Sequence, residues 1–226
     1  MDWSQQRALL FLCWASCVSV DAFVRSSRPI SSGCHSPGAV KMAAELSPAE
    51  RVVVTGLGPV SPVGMDQDSF FQGLLDGKSG LGVVTRFDPE EYTCQIAAQV
   101  GDDFDAKSYF TNGKSARSND RYTHFGVAAA RLAIDDAKLD IHGSSDATRL
   151  GVIVGSAFGG METYETQTLK LAASGPKKVS PFTIPALLGN TAAGVIGIEF
   201  GLKGPNYGVV SACATASHAM GEAMAA

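Results

Sequence analysis

Charge is scarce in this chain, and so are aromatic residues. Charged residues make up 18% of the 226 and aromatic residues 8%, against 45% hydrophobic. A disordered chain needs more charge and less apolar content, so this balance excludes one. No apolar run reaches the ~18–20 residues of a spanning helix, which excludes a polytopic membrane protein and argues against a stable membrane span. A basic stripe is also missing. The 18 Lys and Arg are scattered among 22 Asp and Glu for a formal net charge of −4, which argues against a nucleic-acid partner. The 25 glycines follow no three-residue period, so a collagen-like chain is out. Cysteines number five and histidines four. Cys13 and Cys17 have no second pair or histidine cluster to complete a zinc site. No metal or other cofactor is implied. What remains is a chain rich in Ala, Gly and Val, with strand-like and helix-like segments interleaved, the composition of an α/β enzyme with a real core.

The first forty-odd residues do not belong to that fold. Residues 8–20 (ALLFLCWASCVSV) are too short to span a bilayer and fit the apolar region of a signal peptide. Val20, Asp21 and Ala22 put small residues at the two positions a signal peptidase reads. From Phe23 to Ala44 there is no acidic residue, while Arg25, Arg28 and Lys41 stand among several Ser and Pro, which is transit-peptide composition. A signal-like segment (1–22) followed by a transit-like one (23–47) that opens with Phe resembles the two-part presequence of complex algal plastids, and the expected location is the plastid. Plain secretion and an uncleaved anchor stay open as alternatives. The first 44 residues carry four bases (Arg7, Arg25, Arg28, Lys41) and two acids (Asp2, Asp21), so the remainder is more acidic than the whole. Cys13, Cys17 and Cys34 lie in the same segment, leaving Cys94 and Cys213, too few for a disulfide framework.

The body, residues 48–226, alternates strand and helix. The β-branched run 51–55 (RVVVT) reads as a buried strand. Residues 66–75 open on a capping Asp and space Phe70, Phe71, Leu74 and Leu75 as a helix does. Residues 95–100 read as a strand before an acidic turn. The longest predicted helix is 119–138, with Phe125, Ala129, Leu132 and Ala133 at intervals of three and four. A second buried strand, 150–155, ends in the glycine-rich 155–160. Pro181 and Pro185 bracket an irregular segment. Residues 190–200 read as a helix, with Gly201 at its C-cap. A third buried strand, 207–212, precedes an Ala-rich helix, 215–226. Strand, helix and apolar strand in alternation predict a parallel-type layered sheet.

Two glycine-rich segments call for nucleotide binding on first sight, and the details go against it. In Gly56-Leu57-Gly58-Pro59-Val60-Ser61 the third glycine is absent, Pro59 removes an amide, and no helix opens at the turn. Residues 155–160 lack the Lys-Ser/Thr of a phosphate loop. Their glycines allow close backbone approach, either for packing or for the wall of a substrate pocket. The sharper feature is VVSACATAS (209–217). Here a strand runs directly into a helix with Cys213 at the junction. A helix N-terminus offers free amides and a partial positive charge that favour a thiolate. Ala212, Ala214 and Ala216 leave room for an acyl chain, and the Cys213 amide is placed to serve an oxyanion. Taken alone, the pattern suits a nucleophile and a structural buried cysteine equally well.

Five collinear blocks carry a resemblance: RVVVTGLGPVSPVG (51–64), GKSG with RFDPEEY (77–92), RLGVIVGSAFGG (149–160), KVSPFTIPALLGNTAAG (178–194) and GLKGPNYGVVSACATASHA (201–219). Together they resemble the β-ketoacyl-acyl-carrier-protein synthases of dissociated fatty acid synthesis, closest to the elongating type I and II condensing enzymes. The resemblance implies an α/β thiolase-like layered fold, with this chain as its N-terminal half. It implies that Cys213 takes an acyl group from carrier-protein pantetheine as a thioester, before decarboxylative condensation with malonyl-carrier protein. It also implies a homodimer for the full-length enzyme. The two catalytic histidines, an associated lysine and a glycine-rich phenylalanine loop belong to the family's second half, and this sequence has no matching motif, so the chain reads as a fragment or truncated gene model. His218 does not replace them: five residues past Cys213 on one helix, it points roughly 140° away. His35, His124 and His142 have no partner that suggests catalysis.

Further assignments follow from the resemblance. Phe158 stands where related synthases place a residue lining the acyl pocket, with Gly159 and Gly160 beside it and Ala212 and Ala214 flanking the nucleophile. Lys114, Arg117 and Arg121 match part of the surface on which an acidic acyl carrier protein docks. Two other readings remain: a non-catalytic partner subunit or pseudoenzyme, which typically lacks the cysteine, and a polyketide ketosynthase domain.

Overall fold

In the computed structural model, which describes residues 52–141 and 146–226, a parallel strand pair carries helices on both of its faces. The pair is β3 (Val152–Gly155) and β4 (Asn206–Val209), in a register that sets Val152 against Asn206 and Gly155 against Val209. A separate antiparallel hairpin joins β1 (Leu81–Val83) to β2 (Ile96–Ala98). Six α-helices are described: α1 (Gln67–Leu75), α2 (Arg121–Asp136), α3 (Met161–Ser174), α4 (Thr183–Leu187), α5 (Thr191–Phe200) and α6 (Thr215–Ala225). The proposed presequence, Arg51 and His142 lie outside the described residues.

Side chains alternate along a strand, and β3 uses both faces. Val152 and Val154 are buried in the main core with Ala193, Ile196 and Phe200 of α5 and Val127, Ala130 and Ile134 of α2. Gly155 faces the other way: a Cβ there would lie 2.7 Å from the Thr215 methyl and 2.9 Å from the Thr215 carbonyl, so only glycine lets α6 come this close. α5 and α6 therefore cover opposite faces, which makes the layers.

Small residues set the spacing of α2 and α5. Gly126 on α2 faces Ala192 and Ile196 on α5, where an added Cβ would meet them in ordinary contact at 3.4 and 3.6 Å. The stripe read from the sequence, Phe125, Ala129 and Leu132, is the minor face of α2 and packs with Val60 in a second cluster. The main core takes Val127, Ala130 and Ile134. α2 is buried on two sides, and a single-stripe reading finds only one of them.

The remaining elements match their sequence signals unevenly. α1 starts on a capping box, in which Asp66 accepts the Ser69 N–H at 2.9 Å and Ser69 Oγ accepts the Asp66 N–H at 3.3 Å. α5 stops at Gly201, which takes φ +67° as a left-handed cap. The segment between Pro181 and Pro185 is not irregular throughout, since α4 begins inside it at Thr183 and runs past Pro185. Pro185 is the third helical residue, where a missing N–H costs no intrahelical bond.

Among the described residues 52–55, the predicted buried strand does not form. Only Val54 makes an isolated bridge, and Val53 and Val54 are 44% and 56% exposed. A β-branched run records a preference for burial, but a ladder needs a neighbouring edge, and the chain turns to α2 instead. Leu57 donates its N–H to Asp136 at 2.9 Å, and a Cβ on Gly58 would lie 2.0 Å from the Ala129 carbonyl oxygen. Close packing against α2, with no phosphate cradle, accounts for that glycine.

Candidate active site

The third predicted strand ends earlier than its sequence suggests, and the reason is the site itself. β4 stops at Val209, and Tyr207 and Val210 are 38% and 66% exposed, so it is not a buried strand. At Ser211 the backbone leaves the extended region (φ −155°, ψ 44°), and Ala212 adopts φ +50°. A left-handed conformation in a residue with a Cβ is uncommon and is held only by its surroundings. Ala212–Ala214 make one 3-10 turn, which runs into α6 at Thr215. Cys213 rides on this elbow with its side chain exposed, as are Ala212 and Ala214.

Four hydrogen bonds brace the elbow, one of them from the Thr215 N–H to the Ala212 carbonyl. Thr215, 4% exposed, accepts the Ser211 N–H on its Oγ1 at 2.8 Å and donates its hydroxyl to the Ala212 carbonyl at 2.6 Å. The Ala214 N–H donates to the Ser211 carbonyl at 3.1 Å. These bonds engage the amides of Ser211, Ala214 and Thr215 and not that of Cys213. His218 sits at the same place, its Nδ1 2.5 Å from Ser211 Oγ. Across the strand, the Tyr207 hydroxyl donates to Glu222 of α6 at 3.4 Å, and desolvation followed by the Glu222 charge pushes the phenol above its ordinary value.

The glycine-rich turn after β3 lies at the same carboxyl edge of the parallel pair, where α/β sheets form their crevices. Gly159 has φ +71°, and a Cβ there would lie 2.5 Å from the Leu187 carbonyl oxygen; one on Gly160 would lie 2.3 Å from that of Ala186. Gly160 also donates its N–H to the Leu187 carbonyl at 2.9 Å. Both glycines thus meet the packing alternative, holding the turn against α4. Phe158 is not in the core: 76% of it is exposed at the tip of this turn.

A link between the N-termini of α2 and α3 escaped the sequence reading. Asp120, 5% exposed, caps α2 by accepting the Tyr122 N–H at 3.2 Å and also accepts the Thr163 N–H of α3 at 2.7 Å. One carboxylate serves two helix N-termini, a place where negative charge is favoured. The helix was legible, though it starts at Arg121 and not at Asn119; the second bond of its cap, 43 residues away, left no local sign.

Lys114 and Arg117 are exposed around the 3-10 turn Ser115–Ser118. Arg121 is held differently. Its guanidinium lies 4.8 Å from the Phe125 ring centroid and 5.9 Å from that of Phe104, and it donates to the Val100 carbonyl at 3.4 Å. Desolvation, then the nearby Arg86, keeps it below the ordinary guanidinium range. It lines an open depression of about 280 Å³ with the Arg86–Glu162 ion pair, which closes at 2.9 Å. His124 places Nε2 2.7 Å from the Ala116 carbonyl oxygen and its ring edge-on to Phe110, a structural position. Among the described residues, no group of three or more His, Cys, Asp or Glu could hold a metal ion, and no helix is long and apolar enough to cross a membrane.

An exposed cysteine on a braced elbow between a parallel strand and a helix can be set against known proteins. Residues 49–226 match the family model for the beta-ketoacyl synthase N-terminal domain. The chain belongs to the beta-ketoacyl synthase family. It is 43% identical over 174 residues to the 3-oxoacyl-(acyl-carrier-protein) synthase 2 of Synechocystis, a match covering 77% of this chain and 41% of that protein. Among solved structures, the ishigamide ketosynthase/chain length factor superposes with a TM-score of 0.59 at 27% identity, covering 70% of this chain and 39% of that one. A type II polyketide ketosynthase solved with its acyl-carrier protein superposes with a TM-score of 0.62 at 22% identity, covering 75% of this chain and 44% of its own, a likeness of fold. The fold is therefore α/β and thiolase-like, in its N-terminal part, and the chain spans about two fifths of the length of the curated relatives it matches.

Proposed function

We propose that this ketosynthase chain carries the acyl-accepting nucleophile of a β-ketoacyl-acyl-carrier-protein synthase in fatty acid elongation. The observation that carries the reading is Cys213, exposed on an elbow whose preceding residue is forced to φ +50°. Sulfur attacks the thioester carbonyl of acyl-loaded carrier pantetheine, a C–S bond forms to Cys213, and the carrier thiolate leaves and takes up a proton. The Cys213 amide, outside the brace, is placed to donate to the developing oxyanion. Malonyl-carrier protein then loses CO₂, its carbanion attacks the acyl-enzyme carbonyl, and the Cys213 thiolate is released. The condensing step requires proton-handling groups for which this sequence offers no motif.

The test is to incubate the chain with acyl-loaded carrier protein and map the thioester. Acylation at the Cys213 peptide is expected, with none at Cys94, which is also exposed but lies beside the β2 edge. A thioester confined to Cys94 or to the N-terminal cysteines would reject the assignment.

The carrier is proposed to dock on Lys114 and Arg117, with Arg121 behind them as a partly buried support. Support comes from their exposure and from the carrier complex of the structural neighbour. Reversing the charges of Lys114 and Arg117 is expected to slow carrier association by about tenfold and flatten its salt dependence, with folding unchanged. Equal association rates for the variant and the parent chain, read by stopped flow at two salt concentrations, would count against docking there.

Phe158 is proposed to close the deep end of the acyl pocket and favour short to medium chains. Each buried CH₂ is worth about 0.8 kcal/mol, so excluding four costs about 3 kcal/mol of acyl binding. Phe158→Ala is expected to raise acylation by long-chain donors relative to short ones. The same chain-length profile in the variant rules the gate out. Homodimerisation of the full-length protein and delivery to a plastid by the two-part presequence complete the proposal; the second rests on the composition of residues 1–47.

A further inference from the structure

Ala212 carries a left-handed backbone that only neighbouring bonds can maintain, and two of those bonds come from one side chain of α6. Thr215 Oγ1 accepts the amide hydrogen of the residue before Ala212 and donates its own to the carbonyl of Ala212 itself, at 2.8 Å and 2.6 Å. The side chain cannot turn away: it is 4% exposed, and its methyl is the nearest atom to the position a Cβ would take on Gly155. Packing and hydrogen bonding thus leave from the same Cβ in different directions. His218, exposed one turn further along α6, holds the Ser211 hydroxyl from outside at 2.5 Å. Without the threonine hydroxyl, the Ser211 amide loses its partner and the Ala212 carbonyl keeps only the Thr215 N–H, so the side-chain clamp across Ala212 is gone and the two backbone bonds of the 3-10 turn are left to hold it against relaxing to negative φ. Relaxation would swing Cys213 off the turn.

Building on Cys213 as the acyl acceptor, we infer that Thr215 is the positioning residue for Cys213 and that His218 steadies the same elbow through Ser211. Neither touches the reacting atoms. Each acts by holding the backbone in the conformation that presents the sulfur at the start of α6. The role belongs to the hydroxyl of Thr215, and the methyl serves only to lock it in place.

The experiment compares Thr215→Val, which keeps the shape and removes the hydroxyl, with Thr215→Ser, which keeps the hydroxyl and removes the methyl. Both are made in the complete chain, with His218→Ala as a third variant. Two rates are read by peptide mapping: acylation of Cys213 by an acyl-pantetheine thioester, and alkylation by iodoacetamide, with exposed Cys94 as the internal standard. Thr215→Val is expected to lower the saturating acylation rate by about tenfold or more, with little change in half-saturation, and to lower the Cys213-to-Cys94 alkylation ratio alike. Thr215→Ser is expected to restore most of the rate, and His218→Ala to give a smaller loss in the same direction. An unchanged ratio in a folded Thr215→Val chain overturns the inference, as does a Thr215→Ser chain as slow as the valine variant. If the valine variant does not fold, His218→Ala decides through the alkylation ratio, because its side chain lies on the surface. Should Cys213 of the parent chain take no acyl group at all, the acyl-transfer reading fails, while the alkylation ratios still decide whether Thr215 positions the sulfur.

Discussion

Replacing Cys213 with alanine is expected to abolish covalent acylation of this chain, a loss of at least about 10³-fold in thioester formation. The change should cost almost no stability. The side chain is exposed, its neighbours on both sides are already alanine, and none of the bonds bracing the elbow uses the sulfur. Surface truncations of this kind stay within about 0.5 kcal/mol. Intact mass after incubation with an acyl donor reads the first effect, and a thermal melt reads the second. Cys94→Ala serves as the control and should leave both unchanged. Acylation of Cys213→Ala at the parent rate would move the nucleophile elsewhere.

The second large effect is expected at a residue that touches no substrate. Asp120→Ala should destabilise the fold by about 2–4 kcal/mol, because one carboxylate caps α2 and also satisfies an amide in the first turn of α3. A single cap is typically worth about 1 kcal/mol, and here two amides in a largely buried position lose their acceptor together. Asp120→Asn keeps one carbonyl oxygen, enough for one of the two amides, and should cost about half as much. Denaturant midpoints at constant slope measure both changes. A cost below about 1 kcal/mol for the alanine variant would mean that water replaces the carboxylate at both helix ends.

Much of the architecture was legible where a local rule acts alone. The cap at Asp66, the glycine stop at Gly201, the apolar β3 and the Ala-rich α6 each rest on a few contiguous residues, and each is found. What failed was whatever depends on a distant partner. α3 has no buried residue and a glycine at its N-cap, so although its residues favour helix by propensity, no buried face marks it out; Asp120 and α4 hold it from outside. The hairpin strand β1 is three exposed residues long. The valines at 52–54 announced a strand that, among the described residues, makes no more than the bridge at Val54. At the site, the cysteine and its small neighbours could be read from the strand-to-helix junction, because an elbow needs them within a few residues. The brace could not: Thr215 looked like an ordinary first residue of a helix, and its two bonds depend on a backbone turn that no propensity encodes.

Because β3 and β4 run parallel, they cannot zip up from a tight turn as a hairpin does. Their ladder joins Val152 to Asn206, and α3, α4 and α5 lie on the intervening chain. Ordering that long connection is an entropic debt settled before any of the pairing is gained. The elbow begins where β4 ends, and its Thr215 rests on the last residue of β3. Reactivity at Cys213 should therefore mature late in folding, after the helices, so that its alkylation rate during refolding reports the closure of the parallel pair rather than the growth of helix.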